Sequence, residues 1–367
     1  MRYLRSLSCA AAFLGCMAPL VSQQVLTVGP GQTYSTIGAA VTAAAPGDTV
    51  LVIGGSYLES IDISKRLQVV GRGALLRTQF LPQISVRVHD LGPNDPVVFS
   101  GFTLQSQSGF SMGISIERCA GPVVVHDLHN QGGSEMWGLG ILDSTQVHVA
   151  RSLFFSVRVT NSVAMFEQCV MDPSSWAFGV WATSSVVSLV ACSAHGALPG
   201  TPAVRLEGGS VLAATISTLY PVGTSALPGV DAVDSDLVLL DSTAQVGSLG
   251  GAPPVAGTVP VVRDFTSLRA SSDGAALSAR AHGPAGEVFI TAFSALAPAV
   301  ATPFGVTWLD LTAFGTLYAG VHDPVTRDHV VTLAHPPMPA GTTFALQTIG
   351  LGVDGIRLGV PTALSMP

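Results

Sequence analysis

Val97-Val98-Phe99, Val123-Val124-Val125, Val147-His148-Val149, Val163-Ala164-Met165, Val187-Ser188-Leu189, Leu212-Ala213-Ala214 and Leu237-Val238-Leu239 recur through the middle of the chain. Successive starts lie about 24 to 26 residues apart, with one short step between Val147 and Val163. A second set lies between them: Gly113-Ile114-Ser115-Ile116, Gly140-Ile141-Leu142, Val157-Arg158-Val159, Gly179-Val180-Trp181, Val204-Arg205-Leu206 and Val230-Asp231-Ala232-Val233. Each repeat thus carries at least two short strands separated by turn residues. One such unit cannot bury its apolar face alone, but stacked units seal a continuous core and pair each strand with its counterparts above and below. The period predicts an all-β parallel solenoid. Propeller blades need about 40 residues, and the fixed Leu and Asn positions of a leucine-rich repeat are missing.

The open end of such a stack must be covered. Ahead of the repeats, Tyr34-Ser35-Thr36-Ile37-Gly38-Ala39-Ala40-Val41-Thr42-Ala43-Ala44 has the Ile37/Val41/Ala44 spacing of a short amphipathic helix, with Ser35 and Thr36 as caps and Pro46-Gly47 as its stop. Strands follow at Gly47-Asp48-Thr49-Val50-Leu51-Val52-Ile53, at Gly55 to Ile63 and at Leu67-Gln68-Val69-Val70-Gly71. This opening resembles that of the pectin-lyase-like superfamily: a Tyr-x-x-Ile helix cap, a Gly-Asp-x-Val strand, a Gly-x-Tyr-x-Glu strand and a strand ending in Gly. The resemblance covers Val25 to Gly73 by motif and extends to about Pro260 by period. It implies a right-handed parallel β-helix. For activity it implies little, because the superfamily holds lyases, hydrolases, esterases, phage tailspikes and non-enzymatic surface proteins.

Composition narrows the class. Of 367 residues 48% are hydrophobic and 11% charged, with 40 Gly and a net charge of −7. Past the first two dozen residues no run reaches the roughly 18 apolar residues of a spanning helix. Lys65 is the only lysine and the arginines are scattered, which argues against a phosphate-backbone partner. Arg2 and Arg5 followed by the apolar stretch Leu7 to Val21 read as a secretory signal covering residues 1–23. Phe13-Leu14-Gly15-Cys16 leaves a lipoprotein anchor as the alternative, although the apolar run continues past it. The expected location is secreted or in a bacterial cell envelope.

The β-helix is expected over 24–255. Around Gly250-Gly251-Ala252-Pro253-Pro254 the period lapses, and from 263 to 367 strands such as Gly286 to Phe293, Thr316 to Val321 and Thr342 to Thr348 alternate with turns at Asp323-Pro324, Pro336-Pro337 and Asp354-Gly355. This text predicts a small antiparallel β-sandwich. Its pattern is similar to the C-terminal β-domains of secreted proteins from environmental bacteria.

Chemistry is less legible. The Arg-x-Pro-x-x-Arg and Trp-x-Asp-His stretches of the pectate-lyase branch have no counterpart. Neither do the Asn-x-Asp, Asp-Asp, Gly-His-Gly and Arg-x-Lys of the polygalacturonase branch; His195-Gly196 alone is too little. His126-Asp127-Leu128-His129 is the densest polar cluster, and strand alternation puts Asp127 and His129 on one face with His126 opposite. Asp127, His129 and Asp143 are the candidates should the chain be a lyase or glycoside hydrolase, and Ca²⁺ would enter only in the lyase case; no residue pattern calls for a metal or another cofactor. Glu117, Asp143, Glu207 and Asp234 fall near one turn position; such a column of carboxylates could hold Ca²⁺, and the preference of turns for acidic side chains that bond the backbone is the alternative and favoured reading.

The aromatic pattern is more suggestive. Phe110, Trp137 and Trp176 each precede a Gly and a β-branched residue at matching places in the repeat. Stacked along the axis they would form a ridge for a sugar's apolar C–H face, with an interior aromatic stack as the alternative. Cys169 and Cys192 fall in neighbouring coils, as a disulfide or as stacked buried thiols. The leading expectation is a secreted β-helix that binds polysaccharide or surface glycan without turning it over; a polysaccharide lyase or glycoside hydrolase and a structural envelope component are the alternatives.

Overall fold

The computed structural model describes residues 23–365 except 79–83, 107–111, 132–136, 174–177, 198–200, 222–226, 241, 247–252, 258–266, 273–274, 303–304, 335–342, 353–354 and 360–361. Phe110, Trp176, the expected signal segment and the Pro336-Pro337 turn lie outside the described residues. Among the described residues the chain is all-β apart from one helix, and its long middle part is a parallel β-helix with three faces per coil.

The first face stacks Thr49–Ile53, the opening halves of Leu67–Thr78 and Val97–Ser106, then Val123–His126, Val147–Ala150, Val163–Glu167, Val186–Val190, Val211–Thr215 and Asp236–Leu240. The second runs from Ser56–Leu58 through His129–Gln131, Leu153–Phe154, Val170–Met171, Ser193–Gly196 and Thr218–Pro221 to Thr243–Ala244. These two faces join as one 17-stranded sheet, because the two long strands continue across the corner. The third face is a nine-stranded sheet from Ile61–Ile63 to Val255–Gly257, and it includes Met112–Glu117, Trp137–Leu142, Val157–Thr160, Val180–Thr183 and Val204–Glu207.

Register follows the apolar period. Val123, Val147, Ala164, Val187, Leu212 and Leu237 are successive partners, all turned into the core. Ala164 sits where the repeat alignment put Val163, which instead pairs with Val186. That coil is short because only Phe155 and Ser156 separate its second-face and third-face strands, while neighbouring coils insert a longer segment there. Insertions confined to one edge are how a solenoid varies without disturbing its stack.

Corners after the third and the first faces turn on residues in the left-handed region. Arg118, Asp143, Asn161, Ser184 and Asp234 take φ between 47 and 52° after the third face, and Asp127, Arg151, Gln168, Ala191 and Ile216 take φ between 46 and 55° after the first. For most residue types this conformation costs about 1–2 kcal/mol, so something must hold it. Beside the corners, side chains bridge the coils. Ser144 N–H donates to Ser162 Oγ, Ser162 N–H to Ser185 Oγ, Ser185 N–H to Ser210 Oγ and Ser210 N–H to Ser235 Oγ, at 3.0–3.2 Å. The hydroxyls donate back to carbonyls of their own corners, as Ser162 Oγ does to Thr160 O at 2.7 Å.

Cysteine stands in for serine in these ladders. Cys119 N–H donates to Ser144 Oγ at 3.1 Å, and in the other ladder Cys169 N–H donates to Cys192 Sγ at 3.5 Å and Cys192 N–H to Ser217 Oγ at 3.1 Å. Cys169 and Cys192 do occupy neighbouring coils, and both are free buried thiols. Each sulfur donates to a carbonyl, Cys169 to Glu167 O and Cys192 to Phe166 O. Burial pushes the Cys169 thiol far above its ordinary range.

The helix Ile37–Ala43 covers the N-terminal end of the stack. Thr36 caps it, Ile37, Ala40 and Val41 face the core, and the Glu59 carboxylate accepts from the N–H groups of Ile37 and Gly38 at 2.8 and 2.9 Å. No helix among the described residues is long and apolar enough to cross a membrane.

At the C-terminal end Ser267–Ser272, Ala276–His282 and Asp328–Ala334 form one antiparallel sheet. A second is built around Val288–Thr302 and Thr343–Gly352, with Gly305–Leu309, Gly315–Val321, Gly355–Leu358 and Thr362–Ser365 alongside. The sheets pack face to face over Leu268, Leu277, Phe289, Leu346 and Leu364. They also seat on the β-helix: Val98, Val124, Met165 and Val190, which point outward from the first face, are buried against Ala292, Leu309 and Ala345. Each such side chain contributes about 1.5–3 kcal/mol when removed from water.

Candidate functional site

On the third face the inward positions are apolar, so the residues between them point away from the core. Arg87, Ser115, Gly140, Arg158, Trp181, Arg205 and Asp231 are successive register partners along this outer row. Gly140 matters for what it leaves open. A Cβ there would come within 2.9 Å of Met112 Sδ, so the missing side chain gives Met112 its place on the outer surface.

In the middle of this row aromatic rings and guanidinium groups interleave. Trp137 and Trp181 have ring centroids 5.8 Å apart, and Phe178 meets Trp181 edge-on at 5.5 Å. The exposed Arg158 guanidinium lies 5.7 Å from the Trp137 ring and 5.1 Å from that of Trp181, and Arg205 lies 5.7 Å from Phe178. Trp181 Nε1–H donates to Glu207 Oε2 at 3.1 Å, and Arg205 Nε–H donates to Glu207 Oε1 at 2.6 Å. Burial works to raise the Glu207 carboxyl, but these two donors outweigh it and hold it below the usual carboxylate range. The indole of Trp181 is therefore fixed in plane and half-exposed, with a cation on one side and an anion on its N–H.

Of the three expected ridge residues, Trp137 is 8% exposed and meets Trp181, while Phe110 and Trp176 lie outside the described residues. Trp181, Phe178, Arg158 and Arg205 escaped the sequence reading. The available signal was the middle residue of Val157-Arg158-Val159, Val180-Trp181-Ala182 and Val204-Arg205-Leu206, the polar or aromatic outward member of an alternating triplet.

The polar candidates separate. Asp127 takes φ of 55° at a corner, so strand alternation does not carry through it. His126, expected opposite, lies beside it: His126 Nδ1 and Asp127 Oδ2 are 2.8 Å apart, and Arg151 Nε–H donates to Asp127 Oδ1 at 2.8 Å. His129 opens a second-face strand, with Nδ1 at 3.4 Å from Gln131 Nε2. Asp143 belongs to the corner that leaves the third face and accepts from Asn161 Nδ2 at 2.7 Å. Asp127, His129 and Asp143 thus hydrogen-bond to three separate sets of neighbours. Of the four acids near one turn position, Glu117 accepts from Arg87 and Ser115, Glu207 from Arg205 and Trp181, and Asp143 and Asp234 are left-handed corner residues.

Asp127 does line a cleft of about 600 Å³ between the first face and the C-terminal sheets, with His126, His148, Arg151, Glu167 and Ser271. His148 Nε2 is 3.6 Å from Glu167 Oε2, and both side chains are buried. Burial opposes the Asp127 charge, yet Arg151 and His126 keep its carboxyl below the ordinary range; burial lowers His126.

No family model and no curated protein matches the sequence. Among solved structures the chain is similar to the tailspike protein gp49 from Acinetobacter baumannii bacteriophage Fri1, a capsular polysaccharide depolymerase. The identity is 10% over 94% of this chain and 82% of that one, with a TM-score of 0.29. It is also similar to the chitinase ChiW from Paenibacillus sp. str. FPU-7, a cell-surface-expressed multi-modular enzyme, at 12% identity and a TM-score of 0.20. That match covers 93% of this chain and 23% of the chitinase, so the chain spans about a quarter of it.

Proposed function

We propose that the protein binds polysaccharide or surface glycan along the third face of its β-helix, outside the cell or on its envelope. The observation that carries this reading is the outer row at Trp137, Arg158 and Trp181, with Phe178 and Arg205 beside it. Sugar rings stack their C–H faces on indoles, while hydroxyl and carboxylate groups take hydrogen bonds from guanidinium N–H donors. Rows spaced by about 4.8 Å per coil suit an extended chain better than a single small molecule. Arg158 is exposed and held near two rings, which lowers the ordering cost left for binding.

Retention on a panel of immobilised neutral and acidic polysaccharides tests the reading. The intact chain should be retarded by at least one of them, and Trp181→Ala should weaken that affinity about tenfold, the worth of one stacked ring. Equal retention of both proteins would move the binding site elsewhere, and no retention on any glycan would remove the proposal.

A further inference from the structure

The second face carries a separate arrangement of reactive side chains. His195 and Ser193 lie two residues apart on the strand Ser193–Gly196 and so project to the same side. His195 Nε2 is 2.7 Å from Ser193 Oγ, and its Nδ1 is 3.1 Å from Asp172 Oδ1, one coil below. Tyr220, the register partner of His195 one coil above, sets its ring 4.1 Å from the imidazole and its hydroxyl 3.3 Å from Nδ1.

Nδ1 thus faces the Asp172 carboxylate, with the Tyr220 hydroxyl also in reach, and Nε2 faces the Ser193 hydroxyl, while a neighbouring ring limits rotation of the imidazole. A surface histidine in a solvated pair needs only one of these contacts. A serine nucleophile needs all of them: a base at Nε2, and an acid partner that fixes the tautomer and stabilises the imidazolium. Thr218 is the register partner of Ser193 one coil above.

We propose that Ser193, His195 and Asp172 form a nucleophilic site that hydrolyses carboxylic esters, with O-acyl groups on a bound glycan as the substrate class. Ser193 Oγ adds to the acyl carbon as its proton passes to His195 Nε2. The C–O bond to the alcohol then breaks and the alcohol leaves with that proton, giving an acyl-serine. Water attacks the acyl carbon, His195 takes and returns a proton, and the carboxylic acid departs with the serine hydroxyl restored. Ester and water give alcohol and acid, with no other reactant.

The choice of a glycan ester rests on the binding reading above; the hydrolytic chemistry does not. Proximity supports the link. A Cβ on Gly179 would lie 2.5 Å from the His195 carbonyl oxygen, so the segment bearing Phe178 and Trp181 passes directly against the strand that carries His195.

The full chain should hydrolyse p-nitrophenyl acetate and should be labelled at Ser193 by a fluorophosphonate, mapped by peptide mass spectrometry. Ser193→Ala should abolish the label, and Ser193→Ala or His195→Ala should each lower kcat/KM by at least about 100-fold. Asp172→Asn should lower kcat with KM nearly unchanged, while a matching thermal unfolding midpoint shows that each variant is folded. Turnover of the small ester without retention on any polysaccharide would keep this site and discard the glycan reading. Equal turnover by Ser193→Ala and the unaltered chain, or no adduct at Ser193, would overturn the site.

Discussion

The first and third faces of the β-helix are built from the same coils, yet they read differently. Val123-Val124-Val125 is apolar throughout, whereas Val157-Arg158-Val159 and Val204-Arg205-Leu206 alternate. In both, the outer valines or leucine fill the core, and the difference lies in the middle residue. Val124 meets the C-terminal sheets, while Arg158 is exposed. A strand covered on both sides reads as a continuous apolar run, and a strand covered on one side alternates. The repeat therefore records two facts at once, the coil period and which flank of the solenoid is covered.

Reversing the character of each flank gives the largest expected difference. Met165 is 1% exposed within the seam formed with Val98, Val124 and Ala292. Met165→Asp buries a carboxylate with no designed partner and should cost about 4 kcal/mol, read as a lower urea midpoint at similar slope. Arg158→Ser on the open flank should cost about 1 kcal/mol or less, the worth of its ring contacts. Equal effects would mean that the first face is no better covered than the third.

Histidines give the next contrast, because they respond to acid with opposite sign in the two parts of the molecule. His322 is fully buried and stacked on Phe289 at 4.3 Å. Burial first, then the nearby His282 and His329, push it down to about 4, against the pull of Asp328. Between that value and about 6.5 the unfolded chain takes up a proton that the folded chain refuses. Stability of the C-terminal sheets should therefore fall as pH drops through this window, by about 3 kcal/mol in all. His322→Phe keeps a ring on Phe289 and should remove this pH dependence. His89, beside the β-helix corner, is raised by its hydrogen bond to Asp90, against the effect of burial and with further help from Asp62. Its contribution is fully present below the unfolded value and is lost as pH rises through the folded one. Unfolding monitored from pH 7.5 to 5 should thus weaken the C-terminal part while the His89 corner gains.

The parts that were legible from sequence share a cause. Period, helix cap and antiparallel C-terminal text are set by apolar spacing and turn residues, which are local or strictly repeated. Arg158, Trp181 and Phe178 were not singled out because their importance arises only when one coil is laid upon the next. The alignment slip from Ala164 to Val163 is a single position, because both residues are apolar and either fits the start of the burst until the register of the next coil is known. Asp127 misled for a different reason. Strand alternation holds only while the backbone stays extended, and a left-handed corner residue resets which side its neighbours face.

The smallest expected effect lies in one of the two corner ladders, and comparing the ladders separates position from chemistry. Ser185 accepts from Ser162 N–H and donates to Thr183 O. Ser185→Ala leaves a buried N–H without its acceptor and should cost about 1–2 kcal/mol. Cys192 holds the equivalent place in the other ladder, between Cys169 N–H and the Val190 and Phe166 carbonyls. A hydroxyl makes the same contacts, as Ser217 does one coil above. Cys192→Ser should therefore shift stability by no more than about 0.5 kcal/mol. Were Cys169 and Cys192 joined instead, the same substitution would remove a covalent closure and cost about 2–4 kcal/mol. Alkylation of the denatured chain without reductant distinguishes the two, because free thiols at Cys119, Cys169 and Cys192 all label, whereas a bridge protects the last two.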